Sequence, residues 1–228
     1  MNGGEFFKKT YMTMDTSRII NIILLVTVVV LLMKIFVFDR RAEKQGAEKT
    51  AAVQTDSIAA GELKKIDAKQ LDSNVFTLFD DGWFVLTAGD GEEFNPMTIS
   101  WGGMGILWNE PVVTVYVRHD RHTYSYINEN KSFTICAFGE KYRDAMQYIG
   151  THSGRDGDKV EATGLTAKRT ELGNVYYDEA SLVIECEKIY SDDIEPRMIF
   201  TEENRHFYDD KPMHRMFIGK ILNVWVRE

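Results

Sequence analysis

Between Val75 and Val226 the chain is cut into short apolar runs by recurrent turn signals, and that rhythm limits its fold more than any other feature. The runs read VFTLF, WFVLTAG, MTISW, PVVTVYV, SFTICAF, the stretch 180–190 and MFIGKILNVWV. Val, Ile, Thr, Phe and Tyr dominate them, and at about five to nine residues each they suit strands rather than helices. The DDG and GDGEE stretches beside Trp83 and Phe94 carry hairpin-type residues, which favours antiparallel neighbours over βαβ crossovers. Two segments break the rhythm. Asp120 is placed to cap a helix through Thr123, Tyr124 and Ile127 to about Glu129, and Tyr142, Met146 and Ile149 share one helical face ahead of Gly150. The expectation is a mainly β fold with short helices, occupying residues 67–228.

Upstream the character changes. Residues 19–38, IINIILLVTVVVLLMKIFVF, contain only Asn21, Thr27 and Lys34 as polar positions. As a helix rising about 1.5 Å per residue, this run spans roughly 30 Å, the thickness of a bilayer's hydrocarbon core. A cleaved signal peptide needs small residues where Asp39, Arg40 and Arg41 stand, and a buried core helix would show an amphipathic face. An uncleaved transmembrane anchor is therefore expected. Lys8, Lys9 and Arg18 on one side nearly balance Arg40, Arg41, Lys44 and Lys49 on the other, which leaves the orientation open. Residues 1–18 then form an N-terminal tail and 39–66 a polar linker. The expected location is a bacterial inner membrane, reached by this single pass.

Charge and cysteine usage remove whole classes of function. A net charge of -8 argues against nucleic acid as the main partner, because phosphate binding needs a concentrated basic surface. Cys136, Cys186 and the five His at 119, 122, 152, 206 and 214 show no metal-ligand spacing, so no metal site is expected. The two cysteines read as buried, inert thiols or as a disulfide between neighbouring strands. No dinucleotide-binding glycine fingerprint, Walker loop or nucleophile elbow is present.

One junction offers chemistry. The strand VVTVYVR leads into HDRHTYSYI, where a helix start would offer backbone N–H groups, the Thr123 hydroxyl and the Arg118 and Arg121 guanidiniums to an anion. The plain alternative is two solvated arginines.

In the order NPMTISWGGMGILWNEP, VYVRHDRHTYSYI, SFTICAF, YIGTHSGRDGDKVEATGLT and HRMFIGKI, residues 74–226 resemble the flavin reductase-like family, and its flavoredoxin branch in particular. The resemblance implies a six-stranded antiparallel split β-barrel of Greek-key topology, a homodimer, and FMN near the subunit interface. It aligns Asn95, Met97, Thr98, Ile99, Ser100 and Trp101 with the strand beside the isoalloxazine ring, and Arg118, Arg121, Thr123 and Tyr124 with the phosphate end. Ser153, Gly154, Arg155, Asp158 and Lys159 fall on the family's SGRDxDK loop, to close over the flavin or brace the loop itself. His214 matches a histidine near the flavin's reactive edge, the one candidate catalytic residue, and Lys220 departs from the family's Glu. Three functions follow from the resemblance: a flavin reductase oxidising NADH or NADPH, a membrane-tethered FMN electron carrier served by a protein donor or acceptor, and a ligand-binding relative without redox activity.

Overall fold

The computed structural model describes residues 61–90 and 93–228. The expected anchor at 19–38, the tail and most of the linker lie outside these residues. Among the described residues no helix is long and apolar enough to cross a membrane.

Among the described residues there are ten strands: β1 (Leu63–Ile66), β2 (Phe84–Asp90), β3 (Glu93–Ile99), β4 (Gly102–Leu107), β5 (Glu110–Arg118), β6 (Ser132–Ala137), β7 (Ala167–Arg169), β8 (Val175–Tyr177), β9 (Leu182–Asp193) and β10 (His214–Arg227). Short helices connect them: α1 (Val75–Thr77), α2 (His122–Glu129), α3 (Arg143–Thr151), α4 (Lys159–Thr163) and α5 (Glu202–His206). Seven strands pair antiparallel in the order β3-β2-β6-β9-β10-β5-β4, β1 pairs with β10 as an eighth, and β7 and β8 form a separate hairpin. The order β6-β9-β10-β5, with α2 in the connection from β5 to β6, is a Greek key.

Three expectations are corrected. The sheet has eight strands rather than six, because polar LKKI joins it from the expected linker and glycine-rich GGMGIL forms β4. VFTLF is helical: the Asn74 side chain accepts the Phe76 N–H at 3.0 Å, an N-cap that turns the chain before a strand can begin. Asp120 does not cap α2, whose N-cap is Arg121, because the Arg118 guanidinium takes the Asp120 carboxylate at 3.0 and 3.1 Å.

Side-chain alternation shows how the sheet curls. Leu86 and Ala88 of β2, Met97 and Ile99 of β3, Val113, Val115 and Val117 of β5, Phe133 and Ile135 of β6, Ile184 of β9 and Phe217 of β10 share one core. Strands from both ends of the hydrogen-bonded order meet there, so the sheet wraps round these side chains. The opposite faces of β2, β6 and β9 are also buried. Val85, Cys136 and Val183 pack against Met146 and Ile149 of α3 and Val160 of α4. Both cysteines are free and fully buried, and the β6–β9 register sets Phe133 opposite Cys186 and Cys136 opposite Val183. Burial pushes the Cys136 thiol up to about 12, an inert group at neutral pH. Gly219 is needed where β10 bulges, since a Cβ there would lie 2.6 Å from both Cys186 Cβ and the Phe133 ring.

Candidate functional site

The edge strand β3 and the helices laid against it form a cavity of about 160 Å³. Asn95 and Met97 of β3, Arg121 and Thr123 at the start of α2, the end of α3 and the loop through Ser153 and Arg155 to Lys159 line it. Asn95, 4% exposed, donates from Nδ2 to Thr123 Oγ1 at 2.6 Å, which fastens the first turn of α2 to β3. The far end of α2 is held as well: Lys188 of β9 donates from Nζ to the Ile127 and Asn128 carbonyls at 2.7 and 2.6 Å, a cation at the negative end of the helix dipole. The cationic end of the cavity is thus pinned at two points.

Lys159 is the least exposed cation here, at 5%. Its ammonium donates to the Ile149 carbonyl at 3.2 Å and to the Pro96 carbonyl, tying α3 to β3. Burial, and then the Arg121 charge, lower its pKa to about 8. His122 is also lowered, first by burial and then by Arg155 and Lys159, so it is mostly neutral at neutral pH. Three cations, Arg121, Arg155 and Lys159, therefore face one acid, Asp120, across the cavity. The loop is shaped to fit: a Cβ on Gly154 would overlap Asn95 Oδ1, so only glycine allows this approach. The Ser153 hydroxyl accepts the Arg155 N–H at 3.2 Å. Asp158 caps α4, accepting from Val160 N–H at 2.8 Å and Glu161 N–H at 3.1 Å.

Of the residues aligned with the cofactor or its closing loop, eight therefore meet at one cavity: Asn95, Met97, Arg121, Thr123, Ser153, Gly154, Arg155 and Lys159. The others stand elsewhere. Thr98 points to the opposite face of β3 and donates to the Met146 carbonyl at 2.5 Å, beneath α3. Ile99 is a core residue, and Ser100 is half-buried after β3. Arg118 is engaged with Asp120, and Tyr124 packs 4.7 Å from the His119 ring.

Trp101 and His214 form a second group, with ring centroids 4.8 Å apart. Phe207 lies 4.9 Å from Trp101, and Tyr208 Oη is 3.1 Å from His214 Nδ1. Burial, and then Arg118, lower His214 to about 4, so the imidazole is neutral at pH 7. Arg121 contributes to the lowering at both His214 and Lys159, which sets it electrostatically between the two groups. Lys220 pairs with Glu110 at 2.9 Å, six positions along β10 from His214 and about 20 Å away in an extended strand. Its departure from the family pattern therefore lies far from that histidine. Phe207 and Tyr208 were not legible beforehand, because 194–213 has no helical or strand period; His122 and His152 lay inside stretches already singled out.

The donor set suits the phosphate end of a flavin mononucleotide: guanidiniums, a buried ammonium and a helix N-terminus converge on a space too small for a whole drug-sized ligand, which needs about 300–1,000 Å³. Among the described residues no cluster of three or more metal-ligating side chains occurs.

The flavin reductase like domain profile matches residues 76–228. No curated protein matches the chain. Among solved structures, the FMN-binding domain of a flavin reductases-like enzyme from Shewanella baltica OS155 aligns at 18% identity and TM-score 0.53, over 73% of this chain and 78% of that one. The flavoredoxin of Methanosarcina acetivorans aligns at 21% identity and TM-score 0.51, over 73% and 76%. The flavoredoxin of Desulfovibrio vulgaris (Miyazaki F) aligns at 27% identity and TM-score 0.51, over 72% and 76%.

Proposed function

The chain belongs to the flavin reductase like domain family, and from that premise we propose that it is an FMN-binding redox protein acting as an NAD(P)H-dependent flavin reductase. The observation that carries the reading is the cationic cavity at the start of α2, where Arg121, Arg155 and Lys159 converge. In this reading they bind the phosphate, with Thr123 held toward it by Asn95. Met97 meets the ligand where the cavity joins the core. Thr98 acts indirectly, by seating α3 against β3. Ile99 and Ser100 shape the strand and turn on which Trp101 stands. Tyr124 and the Arg118–Asp120 pair fix the entry into α2. A flavin held by these residues would supply the capacity to accept electrons from a nicotinamide, and the residues named here would orient it. His214, neutral at pH 7 and held against Tyr208, offers a hydrogen bond without adding charge.

One observation favours a second reading, that of an electron carrier reduced by a protein donor. Phe207 packs tilted against Trp101 beside His214, which narrows the side from which a nicotinamide would approach. Attachment to a membrane through 19–38 fits that role, and a homodimer sharing its flavin sites fits both.

The test is the visible spectrum of the purified full chain with FMN, mixed anaerobically with NADH or NADPH. Bleaching on the timescale of turnover supports the reductase. A bound flavin that stays oxidised until a protein reductant is added supports the carrier, and a chain that takes up no FMN defeats both.

A further inference from the structure

A second cavity, of about 230 Å³, shares no lining residue with the first. It opens between β1, the β7–β8 hairpin, β9 and β10, and its walls include Trp225, Tyr176 and Leu63. Two cations stand at its rim. Lys65 Nζ lies 5.9 Å over the Trp225 ring, and Arg169 is held in place by donating to the Gly173 carbonyl at 3.2 Å. Among the described residues neither cation is within ion-pair distance of a carboxylate. Glu171 is the one acid of the lining, so the rim carries net positive charge.

The floor rests on a costly arrangement. Glu185 of β9 is 0% exposed and makes no ion pair among the described residues. Its carboxylate accepts instead from Asn174 Nδ2 at 2.7 Å, Asn223 Nδ2 at 2.6 Å and the Thr170 hydroxyl. A buried carboxylate is expensive to keep, and two of these three donors line the cavity, so the charge fixes the rotamers of Thr170 and Asn223 there. Aromatic walls, a preset polar floor and two cations that pair with no carboxylate among the described residues describe a binding site rather than a packing gap.

We infer that this cavity is a site for a flat aromatic acid, its ring against Trp225 and Tyr176 and its carboxylate at Lys65 and Arg169. The volume limits the ligand to one or two rings, since sites that bury drug-sized molecules run to about 300 Å³ and more. The inference does not depend on the flavin reading.

Isothermal titration of the full chain with indole-3-acetate, and with neutral indole-3-acetamide, tests it. The expected result is saturable 1:1 binding of the acid that survives saturation with FMN. Binding should weaken about fivefold, the worth of one partly exposed ion pair, both for the amide and in Arg169→Gln. The site is refuted by no saturable heat up to about 1 mM, the weak end of specific binding. Displacement by FMN refutes it equally, as does equal binding of acid and amide with wild type and Arg169→Gln alike.

Discussion

Lys159 gives the flavin reading a pH signature whose size follows from its burial. In the free protein the residue is 5% exposed and its pKa is lowered to about 8, because burial and then Arg121 disfavour the charged form. A phosphate arriving in the cavity favours that form, so above about pH 8 binding must take up a proton. If the bound ligand restores an ordinary lysine pKa near 10.5, the affinity for FMN falls about tenfold between about pH 7 and pH 9, or about 1.4 kcal/mol. The phosphate contributes nothing to this slope, since its second ionisation lies near 6. Stability of the unliganded domain runs the other way: the folded state binds fewer protons than the unfolded one between about 8 and 10.5, so unfolding becomes harder as pH rises through that window. The assay is quenching of FMN fluorescence titrated at several pH values, with urea melts of the unliganded protein alongside. Lys159→Met should bind FMN more weakly at pH 7 and lose the slope. A wild-type affinity that is flat from pH 7 to 9, or an equal fall in Lys159→Met, would refute the reasoning.

Three further outcomes are expected. Gly154→Ala should lower FMN affinity about tenfold or more while leaving the urea midpoint almost unchanged, because its Cβ displaces only the loop against Asn95. Glu185→Gln exchanges an acceptor-only carboxylate for an amide that turns one donor on Asn174, Thr170 or Asn223; a loss of about 1–3 kcal/mol in denaturant unfolding is expected, and no change would contradict the bonding described. Asp193 is held down to about 2, first by the Arg215 hydrogen bond and also by His119, so its stabilising share is present above the ordinary carboxylate pKa and lost as pH falls from about 4 to 2. The pair is partly exposed, so Asp193→Asn should flatten that acid limb by less than about 1 kcal/mol in pH-jump melts.

Which strands could be read in advance depended on how each is buried. β2, β5, β6, β9 and β10 announce themselves because both faces, or one face cleanly, are apolar. β4 is glycine-rich and β1 is polar, and each becomes a strand only because a neighbour offers its hydrogen-bonding edge. VFTLF misleads in the opposite sense, since a single Asn74 side chain outweighs the β preference of the residues after it. The cationic cavity was visible because arginines beside a helix start and a charged glycine loop have few other uses in a folded chain. The face on which Thr98 falls was not, because alternation along β3 says which residues share a side and nothing of which side α3 will cover. That Lys159 ends on backbone carbonyls was equally hidden, since Pro96 is 63 positions away in the chain and the loop after Ile149 has no period that sets its direction.

The pairing of Leu63 with Arg227 brings the described chain's start beside its end. Any load drawn through the upstream segment falls first on four residue pairs of β1 and on the Arg227 guanidinium, which bonds the carbonyls of Gly61, Asp178 and Ala180. Along the hydrogen-bonded order, β10, β9, β6 and β2 stand between that seam and β3. Release of β1 would therefore leave the strand pairing around the cavity beside β3 unbroken.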